Sequence, residues 1–132
     1  MKKVLFVCIG NVCRSPMAEA FANHYGRDVL IAASAGLAPL TGALPETRAI
    51  MEEVNVDISK HEPKEYEPSS AAQYDVVVNM SGYELPGKPP KETLEWDVAD
   101  PFQRGPEAYR NARADVERRV MQLILKMRRK KK

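Results

Sequence analysis

Cysteine and histidine are scarce in this chain of 132 residues, with two of each. None of them stands at a metal-ligand spacing, so a zinc or di-metal centre finds no donor set, and neither a metal nor a cofactor is expected. Two cysteines five residues apart, Cys8 and Cys13, also make a poor disulfide framework, which points to a chemical rather than an architectural role for the thiols. No apolar run approaches the ~20 residues needed to cross a bilayer. Met1-Lys2-Lys3 passes directly into an apolar segment without a cleavable leader, so a cytoplasmic address is the expectation. Repeats are absent, and the only biased segment is the end of the chain.

Cationic excess is lacking too. The formal net charge is +2, but Arg128 to Lys132 are all basic, which leaves the remainder near −3. A nucleic acid would need basic residues spread over a docking face, so neither nucleic acid nor a membrane surface is expected as a partner. The expectation is a single domain over 1–127, followed by a mobile basic tail over 128–132, in a monomer.

What the chain does have is a strand, a polar loop and a helix in immediate succession at its start. Val4 to Val7 is a β-branched and aromatic run suited to a strand buried on both faces, and helix-favouring residues follow from Pro16. Val29 to Ala33, Tyr74 to Met80 and Glu92 to Trp96 read as three further strands. Helices are predicted at Pro45 to Glu53, within Glu65 to Ala72, and from Pro106 to about Lys126. In the last of these Ala112, Val116, Val120, Leu123, Ile124 and Met127 form one apolar stripe. Alternating strands and helices imply an α/β fold of three layers, a four-stranded parallel sheet with helices on both faces. Ligands of such sheets bind at the carboxyl ends of the strands, where Cys8, Ser34 and Asp100 converge.

The loop Cys8-Ile9-Gly10-Asn11-Val12-Cys13-Arg14-Ser15 has the chemistry of an anion site with a nucleophile. Successive N–H groups from Ile9 to Arg14, backed by a helix N-terminus, suit a phosphate-like dianion, and the same dipoles favour a thiolate at Cys8. Arg14 offers a planar fork to two oxygens of the anion, and Ser15 a hydroxyl to the sulfur. A Cys at the end of a buried strand is often only a small hydrophobe; its setting six residues before an arginine argues for chemistry. Attack on phosphorus also calls for an acid to protonate the leaving group. Asp100, in extended backbone before Pro101, is one candidate and Asp97 another.

Residues Cys8 to Ala20 resemble the phosphate loop of the low-molecular-weight protein tyrosine phosphatases. Ser34-Ala35-Gly36, Asp57 to His61, the third strand and Asp100-Pro101-Phe102 also fall where that family has counterparts. The resemblance implies the phosphotyrosine phosphatase I-like fold, with Cys8 as nucleophile, Arg14 as phosphate ligand and Asp100 as general acid. It implies a hydrogen-bond network of Asn11, Ser15, Ser34 and His61, a phosphotyrosine protein or small aryl phosphate as substrate, and phosphate, sulfate or arsenate in the loop. Leu37 to Leu44 lacks the aromatic residue of the eukaryotic members, which leaves Leu40 and Phe102 as an apolar substrate wall. Cys13 is placed either to trap an oxidised Cys8 as a disulfide or to support the loop as a buried small residue. Arsenate reductases share this fold. The thioredoxin-coupled type needs two further cysteines after the third strand, where Met80 to Pro90 has none, so the remaining alternative is a reductase that uses a small thiol.

Overall fold

Side chains of β1 (Lys2–Cys8) alternate between two buried faces, because the strand lies inside the sheet and is covered on both sides. Val4 and Phe6 point to one layer, Leu5 and Val7 to the other. The structure, a computed structural model, describes residues 1–41, 44–88 and 90–131, with backbone only at Lys131. Gly42 in the predicted loop, Pro89 in the predicted turn and Lys132 in the predicted tail lie outside the described residues.

The chain continues through α1 (Arg14–Tyr25), β2 (Leu30–Gly36), α2 (Pro45–Glu52), α3 (Pro68–Ala71), β3 (Val76–Asn79), β4 (Thr93–Glu95) and α4 (Pro106–Lys131). All four strands are parallel, in the order β2-β1-β3-β4. The fold is therefore the expected three-layer α/β sandwich. Its strand order reverses at β1, so the carboxyl end of β1, at Cys8, is the point where such sheets open a crevice.

Met17 and Phe21 of α1, Met51 of α2, and Val116, Val120 and Ile124 of α4 pack on the Val4–Phe6 face. The opposite layer is thinner, built from Tyr66, Ala71 and Ala35 against Leu5, Val7 and Val77. Gly26 follows α1, and a Cβ there would meet the Ile124 side chain at 2.8 Å. The glycine therefore lets α4 lie close against the end of α1. No helix among the described residues is long and apolar enough to cross a membrane.

The short helix expected within Glu65 to Ala72 is present as Pro68–Ala71, and it starts no earlier because the backbone before it is already paired: Gly36 donates to the Lys64 carbonyl and Tyr66 to the Gly36 carbonyl. Over its described part the basic segment 128–132 continues α4, which runs through Lys131. Arg128 donates to both carboxylate oxygens of Asp28 and to the Tyr25 carbonyl, which ties the end of α4 to the end of α1.

Helices α2 and α4 are joined by Glu53, which accepts hydrogen bonds from Arg110 and Arg113. These bonds hold its carboxyl down from 4.5 to about 2. A carboxyl lowered on folding contributes its stability above the unfolded value and loses it as the pH falls through the folded one. The stability difference between wild type and Glu53→Gln in urea unfolding should therefore be constant above pH 4.5 and vanish as the pH falls toward about 2.

Candidate active site

The loop after β1 is shaped by partners outside it. The Cys8 carbonyl accepts from Leu37 N–H at 3.1 Å, Ile9 from Ala38 at 2.9 Å and Gly10 from Leu40 at 3.1 Å. The Asn11 carbonyl accepts from His61 Nε2 at 2.7 Å, and the Val12 carbonyl from the Thr47 hydroxyl at 2.7 Å. In a planar trans peptide the N–H points opposite the C=O. Five carbonyls drawn outward thus turn the N–H groups of residues 9–13 inward, and α1 adds its N-terminus behind them. Gly36 permits this close approach, since a Cβ there would meet the Ile9 oxygen at 2.7 Å and the Asn11 nitrogen at 2.9 Å.

Asn11 is fully buried and sits in the left-handed region at φ 55°, which asparagine tolerates better than other non-glycine residues. Its Nδ2 donates to Ser15 Oγ at 2.8 Å and to Ser34 Oγ at 3.0 Å, and its Oδ1 accepts from Lys64 N–H at 2.9 Å. Ser34 in turn donates to Glu19 at 2.5 Å. Ser15 Oγ lies 2.9 Å from the Cys8 sulfur. The four residues of the implied network, Asn11, Ser15, Ser34 and His61, thus meet around one loop.

Arg14 is almost wholly buried. Its Nη1 donates to the Met80 carbonyl at 2.6 Å and the Val98 carbonyl at 3.0 Å, and its Nη2 lies 3.5 Å from Asp100 Oδ2. Nε has no hydrogen-bond partner among the described residues. A buried guanidinium nitrogen left open is costly unless an acceptor arrives, so Nε marks a place for an anion. Asp100 is half-exposed and its Oδ1 accepts from Phe102 N–H at 3.2 Å, whereas Asp97 offers its carbonyl to Arg119. Cys8, Ile9, Gly10, Val12, Cys13, Arg14, Ala38, Leu40, Asp100 and Phe102 enclose a cavity of about 150 Å³. Leu40 and Phe102 stand at its exposed rim, as the apolar wall requires. A larger groove of about 580 Å³ lies behind the loop beside Glu19, His24, Asp57 and His61, but its walls carry no cysteine.

The low molecular weight phosphotyrosine protein phosphatase model matches residues 3–86 of the chain. The chain belongs to this family. It is 39% identical to a glutaredoxin arsenate reductase of Synechocystis sp. over 96% of this chain and 99% of that protein. It is 31% identical to a probable low molecular weight protein-tyrosine-phosphatase, EpsP, of Ralstonia nicotianae, over 91% and 92%. Among solved structures, an arsenate reductase in its phosphate binding state superposes with a TM-score of 0.87 at 37% identity, over 96% of this chain and 99% of that one. The low molecular weight protein tyrosine phosphatase of T. tengcongensis superposes at 0.82 with 30% identity, over 96% and 99%.

Both cysteines of this family member are free and buried. The Cys13 sulfur lies 3.5 Å from the Tyr109 hydroxyl of α4, and burial pushes its thiol up to about 11, so it remains protonated at neutral pH. Thr47, Glu19 and Tyr109 are the partners that sequence reasoning missed. Thr47 lies on α2 and Tyr109 on α4, far from the motif in sequence; Glu19, four residues after Ser15 on α1, has a helical spacing that could have exposed it.

Substitution of Asn11 tests the loop. Asn11→Ala loses the amide bonds and strains an L-residue at φ 55°, whereas Asn11→Gly loses only the bonds. Both should unfold at lower denaturant, with the alanine variant less stable than the glycine variant by about 1 kcal/mol in equilibrium urea titrations.

Proposed function

We propose that the protein is a phosphatase, hydrolysing phosphotyrosine or other aryl phosphate monoesters through a cysteinyl-phosphate. What carries this reading is the inventory of the cavity: a carboxyl stands at its mouth, and the second thiol in its wall, Cys13, is hydrogen-bonded to Tyr109. The carboxyl is that of Asp100, beside the anion-binding fork.

In the first step the Cys8 sulfur attacks phosphorus, the S–P bond forms and the P–O bond to the aryl group breaks. Asp100 gives its proton to the departing oxygen. The inward N–H groups and the Nε and Nη2 of Arg14 hold the equatorial oxygens throughout. Water then attacks phosphorus, passes a proton back to Asp100 and releases the sulfur, whose negative charge the Ser15 hydroxyl supports at 2.9 Å. The half-exposed Leu40 and Phe102 give an aryl leaving group an apolar wall.

The alternative is an arsenate reductase drawing on a small thiol, favoured by the names of the relatives at 39% and 37% identity. Reduction of arsenate to arsenite takes two electrons from two thiols, one of them Cys8 and the other supplied from solution.

Aryl phosphate hydrolysis and glutathione-dependent arsenate reduction, measured side by side, separate the two. Wild type should hydrolyse the ester with a mildly acidic optimum, and Cys8→Ser should be inactive. Asp100→Asn should lose about 100-fold in kcat, together with the alkaline limb of the pH–rate profile that loss of the acid's proton produces. Robust arsenate turnover with negligible hydrolysis would establish the reductase instead.

A further inference from the structure

The guanidinium of Arg14 is oriented by what its Nη1 grips, and one of the two grips is the Met80 carbonyl at 2.6 Å. That oxygen belongs to the peptide unit between Met80 and Ser81, a single rigid plane. The N–H at the other side of the same plane is the Ser81 N–H, which donates to Asn79 Oδ1 at 3.0 Å. One planar unit is thus pinned at its N–H by Asn79 and aimed through its C=O at Arg14.

Asn79 is well built for this. It is 2% exposed, at the end of β3. Its Oδ1 also accepts from Ser81 Oγ at 2.7 Å, and its Nδ2 donates to the Tyr83 carbonyl at 2.7 Å and to Glu95 Oε1 at 3.1 Å. Ser81 N–H offers only a donor and the Tyr83 carbonyl only an acceptor, which fixes the orientation of the amide. The turn it spans includes Gly82 at φ 82°. The amide before this peptide is fixed as well, since Met80 N–H donates to the Val7 carbonyl at 2.7 Å.

We infer that Asn79 is a positioning residue for Arg14: it fixes the Met80–Ser81 peptide so that Nε and Nη2 of the guanidinium face the oxyanion. The inference rests on the oxyanion-binding reading of the cavity, but not on whether the bound anion is hydrolysed or reduced. Loss of the Asn79 acceptor frees the peptide to rotate, and the fork then tilts away from the anion.

The dissociation constant for inorganic phosphate, measured by calorimetry, tests this directly, because it is independent of turnover and of the fraction of protein folded. Asn79→Ala should weaken phosphate binding about tenfold. Ser81→Ala, which keeps the peptide N–H and removes only the hydroxyl, should bind as the wild type does. Asn79→Asp with Glu95→Gln keeps the acceptor for the Ser81 N–H and supplies a donor at position 95, while it loses the donor to the Tyr83 carbonyl; affinity close to that of the wild type is expected, since the acceptor carries the effect, and this pair serves if the alanine variant does not fold. In an Arg14→Lys background Asn79→Ala should have no further effect, since the two act as one unit. Unchanged affinity in Asn79→Ala, or a full additional loss in the Arg14→Lys background, would overturn the inference. Absence of phosphate binding by the wild type would instead overturn the oxyanion site itself, and the inference with it.

Discussion

The phosphate loop depends on where its carbonyls go. A tight loop of consecutive peptides has no intrinsic reason to turn every N–H to one side, and five dipoles so aligned repel one another until an anion arrives. Here the cost is met by acceptor satisfaction on the outer side. The 37–40 segment takes three carbonyls, and His61 and Thr47 take one each. The loop is held open from behind, so the cradle exists before the ligand does. Asn11 is the point where this matters most, because its backbone adopts a left-handed conformation while its side chain joins the loop to β2 and to the segment after Ile58.

The same economy governs Arg14. Burying a guanidinium with no counterion would be strongly unfavourable, and enclosing it with a buried carboxylate would neutralise the charge needed for an anion. The protein does neither. Two backbone carbonyls take Nη1, and the only carboxylate paired with Arg14 among the described residues, Asp100, is half-exposed at 3.5 Å. A pair of this kind is weak and solvent-screened. Asp100 is therefore held near the cavity mouth without being locked there, which leaves its oxygens free to turn toward a leaving group.

Much of this was legible in the chain. The buried run Val4 to Val7, the alternation of strands and helices, and the stripe from Ala112 to Met127 follow from local periodicity, and they led to the correct sheet. Cys8, Arg14 and Ser15 lie within eight residues, so their proximity could be read from spacing. The acid could not be chosen from spacing, and only the resemblance separated Asp100 from Asp97. What stayed hidden depends on long-range contact. Thr47 reaches Val12 across 35 residues and Tyr109 reaches Cys13 across 96, and nothing local marks either side chain as a partner of the loop. The contacts of Arg128 are hidden for the same reason, since Asp28 and the Tyr25 carbonyl lie 100 and 103 residues away in the chain.

The cradle itself does not discriminate between phosphorus and arsenic, since both oxyanions present tetrahedral oxygens of the same charge to the same N–H groups. The outcome is decided after sulfur has attacked, by what arrives next. In the proposed phosphatase, water activated by Asp100 attacks the central atom and returns the thiolate unchanged. A thiol attacks the sulfur, leaves both electrons on the central atom and produces a disulfide. Within the chain the only other thiol is Cys13, and its place is taken up by Tyr109 and by burial that keeps it protonated. The turn after β3 could present a group to the cavity only by moving, yet Asn79 fastens it through Ser81 and Tyr83. A second thiol for reduction must therefore come from solution, past Leu40 and Phe102, in competition with solvent water. In the proposed phosphatase that competition goes to water, and the choice between the two chemistries lies in the supply of an external reductant rather than in the shape of the loop.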